Sequence, residues 1–331
     1  MHRKGNAALA GNSLRRFALG GLIAAPHTPM NQDRQINLSV IDQQARVLLA
    51  GDVSGAFICG TTGEGLSLSC AERMAVAERW MQAAGGKLKV IIHVGHTSQV
   101  DAIALARHAK KIGAAAISTL PPFYFRPETV EQLVSFCEPI AAAAGETPFY
   151  YYHIPALTNV RLPMVEFLAL AGERISSLHG IKYTHPDLME YQRCLHACDG
   201  EYEIAWGVDE MLLGAIACGA RSAVGSTYNY SAPLYRRMIN AFNAADLATA
   251  RHYSGISVEL ISWLIKCGGV RTGKAIMSLI GVDCGPPRPP LAPLSDDELA
   301  RLRSAYERLG FFEMCNTAEL DGVALSVKSA W

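Results

Sequence analysis

Residues 89–120 read KVIIHVGHTSQVDAIALARHAKKIGAAAISTL: an apolar run, a helical pattern, and a second apolar run. KVIIHVG (89–95) is nearly continuous in apolar residues, as a strand covered on both faces requires, where a half-exposed strand would alternate. QVDAIALARHAKKIG reads as an amphipathic helix, and AAAISTL (114–120) as the next strand. Two strands separated by a helical crossover run parallel. This unit therefore predicts a parallel sheet covered by helices.

The same alternation extends outward from about residue 20 to about residue 243. Other strand candidates are GLIAAP (21–26), GAFICG (55–60), PFYYYH (148–153), LHGIKY (178–183), EIAWG (203–207) and RSAVGS (221–226). Helical patterns such as NLSVIDQQARVLLA and SCAERMAVAERWMQAA lie between them. Eight strand–helix units predict a (βα)8 TIM barrel, whose usual size of about 250 residues fits this span. An open doubly wound sheet would carry a glycine-rich phosphate turn after its first strand, and APHTPMNQ (25–32) has none. Beyond 243 the strands stop, and ADLATARHYSGISVELISWLIKCG, RTGKAIMSLIG and SDDELARLRSAYERL read as helices. CGPPRPPLAPL (284–294) reads as an extended connector laid over the surface. The expected organisation is a flexible leader (1–17), the barrel (18–243), a C-terminal helical extension (244–310) and a tail (311–331).

Composition narrows the function. Half of the 331 residues are hydrophobic and 18% are charged, with 30 basic residues against 30 acidic ones. Without a basic stripe, nucleic acid is not an expected partner. No apolar run reaches the length of a membrane span. The nine cysteines form no CxxC pair, which suggests reduced thiols and a soluble, cytoplasmic chain.

In such a barrel, chemistry collects where strands end and the following loops begin. Thr61, Thr62 and Glu64 follow the second strand in CGTTGEG, Tyr124 follows the fourth, and Tyr152 and His153 end the fifth. Lys182 ends the sixth, Asp209 and Glu210 follow the seventh in WGVDE, and Ser226 follows the eighth. Each has two readings. An exposed lysine titrates near 10.4, leaving about one amine in a few thousand neutral at pH 7. Burial favours the neutral amine, which attacks carbonyls to form Schiff bases. A lysine snorkelling from a strand end would look the same in sequence. CGTTGEG could nest a carboxylate or merely cap a helix. Tyr152 could move protons or be an ordinary strand aromatic, and acids at 209 and 210 suit any helix start. His93 and His96 lack a third ligand, so no metal is expected.

Taken together, GTTGEGLSLS (60–69), FYYYHIPALTNV (149–160), GIK (180–182), GVDE (207–210), AVGSTYNY (223–230) and GPPRPPL (285–291) carry a resemblance. From about Gly21 to about Leu294 the chain resembles the pyruvate-dependent class I aldolases of the N-acetylneuraminate lyase and dihydrodipicolinate synthase family, nearest to the lyase branch. The resemblance implies that Lys182 forms the Schiff base and Tyr152 manages protons. It implies that Thr61 and Thr62 bind the carboxylate, and that Thr184, Gly207, Asp209, Glu210 and Ser226 hold a polyhydroxy tail. It also implies that Tyr124 reaches a neighbouring subunit's site in a homotetramer, and that no cofactor is needed.

Synthases of the family typically place an arginine shortly after the strand-five tyrosine to bind a second carboxylate. Here Ala156 and Leu157 stand in that stretch, with no basic residue before Arg161. The expected reaction is therefore cleavage of N-acetylneuraminate to N-acetylmannosamine and pyruvate. The alternatives are another 2-keto-3-deoxy sugar acid or a modified sialic acid as substrate, a synthase-like condensation, and a sugar-acid-binding barrel without catalysis. Asn159 replaces a usual glycine, which predicts a different turn there.

Overall fold

The computed structural model describes residues 17–316. Its eight strands are β1 (Gly21–Ala24), β2 (Gly55–Ile58), β3 (Lys89–His93), β4 (Ala116–Thr119), β5 (Phe149–His153), β6 (Leu178–Tyr183), β7 (Glu203–Trp206) and β8 (Ser222–Gly225). They close into one parallel barrel in chain order, with β8 pairing back onto β1. All eight expected strands are present, most of them shorter than the apolar runs. The runs continue past the ladders into the loops that build the upper rim.

Two cores separate on the two faces of the barrel wall. The outer core packs strands against helices and includes Ile58, Ile92, Tyr151, Ile181 and Tyr183. The inner core includes Ile23, Phe57, Ile91, Tyr150, Tyr152 and Val224. Along β5 the alternation is regular: Phe149 and Tyr151 face out, Tyr150 and Tyr152 face in.

On β6 the alternation breaks. Phe149 pairs with Leu178 but Tyr150 pairs with Gly180, so one extra residue is accommodated at His179–Gly180. His179 turns its ring toward the interior residues Phe17 and Tyr150. Leu178 and Ile181, three apart, then both face the outer core. The parity change turns Lys182 inward, and only glycine fits the bulge, because a Cβ on Gly180 would stand 1.8 Å from the Glu203 carbonyl oxygen.

The lower end of the barrel is closed by residues 17–20. Leu19 and Gly20 donate backbone N–H bonds to the Glu203 carboxylate at 2.7 and 3.1 Å, and the Tyr150 hydroxyl donates to it at 2.7 Å. Lys89 Nζ donates to the carbonyls of Ala18 and Leu19, both at 2.8 Å. The rest of the expected leader lies outside the described residues.

After β8, a helix over Tyr228–Asn243 leads to the extension, formed by helices Leu247–Lys266, Val270–Leu279 and Asp296–Arg308. Their apolar faces form a third core that includes Leu260, Ile276, Leu302 and Tyr306. Ser231 interrupts the backbone of the helix Tyr228–Asn243. Asn316 stitches that break by accepting from Ala232 N–H at 2.9 Å and donating to the Tyr228 and Asn229 carbonyls. The remainder of the expected tail lies outside the described residues. No described helix is long and apolar enough to cross a membrane.

Candidate active site

Lys182 and Tyr152 are paired across the β5–β6 ladder, so their side chains enter the barrel together. Lys182 is only 4% exposed, and its Nζ stands 4.0 Å from the ring centroids of both Phe57 and Tyr152. Among the described residues no carboxylate lies within ion-pair distance of it. Two aromatic faces hold the amine, leaving it free to meet a carbonyl carbon.

Phe57, not singled out in the sequence, and His93, weighed there only as a metal ligand, both wall the chamber. The Phe57–Tyr152, His93–Tyr152 and Phe57–His93 centroids are 5.5, 5.6 and 5.9 Å apart. Burial holds His93 well below the usual histidine range, and the charges of Arg73 and Lys182 add to this, so the ring is neutral. Arg73 is itself buried and donates to the carbonyls of His93 and Gly95, fixing the end of β3. His96 lies away from this wall and gathers with Cys70 and Asp101. Its Nδ1 accepts the Ser98 N–H at 2.9 Å, which occupies the lone pair a metal would take at that atom.

The turn after β2 brings Thr61 to the lysine–tyrosine pair: its Oγ1 is 3.3 Å from the Tyr152 hydroxyl. Backbone bonds from Glu64 N–H to Thr61 O (3.0 Å) and from Gly65 N–H to Gly60 O (3.1 Å) close the loop around Thr62. Gly65 is required by contact, since a Cβ there would sit 1.8 Å from the Cys59 carbonyl oxygen.

Across the mouth, Asp209 is buried, with Oδ2 accepting from Thr227 N–H (3.0 Å) and Thr227 Oγ1 (2.6 Å). Burial raises its carboxyl above the ordinary range, opposed by the Thr227 bonds and by the Lys182 charge. Burial also raises Glu210, which is half-buried. Thr184 carries a buried hydroxyl with no hydrogen-bond partner among the described residues, and Gly207 makes room for it, because a Cβ on Gly207 would lie 2.0 Å from that oxygen. Ser226, half-buried, follows β8 beside Thr227. Gly225, part of the AVGSTYNY stretch but not picked out there as a site residue, belongs with this group: a Cβ on it would collide with Asp209 Oδ1 at 1.7 Å.

One expected placement differs. His153 does not enter the chamber; strand alternation sends it outward, 5.1 Å from the Tyr183 ring and 5.8 Å from the His185 ring. Tyr124 is 77% exposed and lies beside Phe125, which is 85% exposed. Asn159 follows a short helix. At φ +55° and ψ +20° it adopts the left-handed conformation that glycine enters freely and asparagine tolerates, closing the short helix Pro155–Thr158.

The proline-rich segment is more than a surface connector. The Arg288 guanidinium donates to both oxygens of Glu72 (2.7 and 2.8 Å) and to the carbonyls of Ser67 and Arg34 (both 2.9 Å). This fastens the extension to the start of the helix that follows the threonine turn.

A closed eight-stranded barrel with an inward lysine, a paired tyrosine and a threonine turn at its mouth has the layout of a TIM-barrel aldolase. The sequence pattern of the dihydrodipicolinate synthetase family matches residues 18–309, and the chain belongs to that family. Within it, the chain is 44% identical over 299 residues to a protein of Gallus gallus named N-acetylneuraminate lyase, covering 89% of this chain and 97% of that one. It is 42% identical over 295 residues to the Homo sapiens protein of the same name (86% and 92% covered). Among solved structures, N-acetylneuraminate lyase from Proteus mirabilis superposes with a TM-score of 0.87 at 44% identity, covering 88% of this chain and 99% of that one.

Proposed function

We propose that this chain cleaves N-acetylneuraminate to N-acetylmannosamine and pyruvate through a Schiff base on Lys182. The observation that carries the reading is the convergence of Lys182 Nζ, the Tyr152 hydroxyl and Thr61 Oγ1 in one aromatic-walled chamber. Its support from relatives is the name shared by the proteins above.

The amine attacks the C2 carbonyl of the open-chain sugar acid and water leaves, giving an iminium. Thr61, Thr62 and their backbone amides receive the C1 carboxylate. Tyr152 takes the C4 hydroxyl proton while handing its own to the substrate carboxylate, the C3–C4 bond breaks, and the electron pair of that bond passes into the iminium to form an enamine. N-acetylmannosamine leaves, C3 is protonated, and water releases pyruvate and restores the amine. The lysine adduct itself takes the electrons, so no step calls for a metal or organic cofactor.

Asp209, Glu210, Thr184 and Ser226 supply polar groups for the hydroxyl-bearing tail, with Gly207 and Gly225 leaving them room. A site built to bond hydroxyls rejects analogues lacking them. Condensation with a second carboxylate-bearing substrate is less well served, because Ala156 and Leu157 offer no cation and two acids flank the tail. Tyr124 suits a role in a neighbouring subunit's site, consistent with a homotetramer. Nine free thiols suit a reducing cytoplasm.

The test is pyruvate release from N-acetylneuraminate by the purified protein, with Lys182→Ala as control. Release that disappears in the variant supports both reaction and nucleophile. Absence of release from the parent protein, with pyruvate still trapped on Lys182 by borohydride, would reject the sugar and keep the Schiff base.

A further inference from the structure

Glu64 has an unusual place in the threonine turn. Its backbone is left-handed, with φ +53° and ψ +29°, a conformation that costs a non-glycine residue energy and calls for something to hold it. Its carboxylate does not reach into the chamber. The Glu64 side chain is 3% exposed, and Oε1 lies 2.7 Å from Lys274 Nζ, whose side chain is 2% exposed. Glu64 Oε2 accepts the Arg288 backbone N–H at 2.7 Å. Lys274 in turn donates to the Pro286 carbonyl at 3.0 Å.

A buried ion pair gains little net stability, because desolvating two charges offsets their attraction. Capping does not explain this one either, since the following helix is capped by Ser69 and Glu72. What the pair does fix is position. Glu64 N–H bonds to Thr61 O at 3.0 Å, and Thr61 Oγ1 is 3.3 Å from the Tyr152 hydroxyl, so one backbone bond links the ion pair to the reacting centre. On the other side, Thr28 Oγ1 donates to the Gly63 carbonyl at 2.7 Å. Both basic partners, Lys274 and Arg288, come from the C-terminal extension.

We propose that Glu64 and Lys274 are positioning residues: their buried pair, with Arg288, holds the Thr61–Thr62 turn in the shape that receives a keto acid's carboxylate. The extension is then part of the binding apparatus of a barrel whose reacting groups all lie elsewhere. This inference rests on the Schiff-base reading given above.

The test traps pyruvate on Lys182 with borohydride over a range of pyruvate concentrations, in the full-length parent, Glu64→Gln, Lys274→Met and the double variant. The double variant leaves no unpaired charge buried, so it keeps the fold where a single change fails, and thermal unfolding checks this. The expected result is a rise in half-saturating pyruvate of about tenfold or more, the loss of one or two charge-assisted contacts, with the saturating adduct yield unchanged. Arg288→Met, which keeps its backbone N–H, should shift half-saturation in the same direction by less. A folded double variant with unchanged half-saturation overturns the proposal, as does a lower saturating yield at unchanged half-saturation, which marks damage to the lysine. A parent protein that traps no pyruvate at any concentration overturns the Schiff-base reading itself, and this inference with it.

Discussion

Lys182 lies directly opposite Tyr152 in the β5–β6 ladder, with Nζ 4.0 Å from the centre of the tyrosine ring. In the proposed mechanism the hydroxyl serves the proton while the ring packs on the amine, so the two functions of Tyr152 are separable. Tyr152→Phe keeps the ring. Pyruvate adduct formation should survive in this variant, while kcat for carbon–carbon cleavage falls by about 10²–10⁴-fold. Trapped adduct measured by mass, beside steady-state pyruvate release, checks this. Parallel loss of both would assign the hydroxyl to imine formation.

The inward turn of Lys182 depends on Gly180. A methyl group there would meet the Glu203 carbonyl oxygen at 1.8 Å, and the nearest relief is to straighten the bulge. Gly180→Ala should destabilise the chain by about 1–3 kcal/mol or more and reduce adduct yield at saturating pyruvate. Urea unfolding beside trapping tests it; a stable variant with full yield would mean the bulge does not set the lysine's direction.

Asp209 gives a pH-dependent signature. Burial raises its carboxyl, so the folded chain holds that proton more tightly than the unfolded chain does. The stabilising contribution is complete below the unfolded value of about 3.9 and is lost as pH rises through the folded one. Asp209→Asn removes the buried charge, so at pH 7 it should be at least as stable as the parent, with the gap closing toward pH 4. Turnover of the sugar acid should fall while the pyruvate adduct persists. A large loss of stability at pH 7 would show that the Thr227 bonds to the charged form outweigh its burial.

Histidines govern the acid limb. His153 and His27 are buried and held down to about 3, chiefly by burial. The unfolded chain therefore binds more protons between pH 6.5 and 3, and stability present above 6.5 is lost as pH falls. Each should cost about 1.4 kcal/mol per pH unit in that window, or roughly 2 kcal/mol between pH 6.5 and 5. His153→Phe, within an aromatic cluster behind β5, should flatten the fall by that amount when urea midpoints are compared at pH 7 and 5. An unchanged slope would show that His153 takes up no proton on unfolding.

Much of the candidate site can be read from the chain because strand ends are marked by composition. An apolar run that stops at a lysine, a tyrosine or a glycine-bounded turn puts those residues at the rim of a parallel barrel. Phe57 and His93 escape that reading, since within continuous apolar strands nothing local distinguishes an inward ring from an outward one. His153 misleads for the same reason, one residue beyond Tyr152 and on the opposite face.

The sequence by itself determined the barrel, the order of its strands and the helical character of the extension. These follow from periodicity and propensity, which act over a few neighbouring residues. Only the tertiary structure decided which way Lys182 points, because straight alternation from Leu178 would turn it outward and one extra residue at His179–Gly180 reverses it. It alone also joined Glu64 to Lys274, 210 positions apart in the chain. Side-chain direction and buried charge pairing depend on register and on what arrives from distant segments, and neither is encoded in a local pattern.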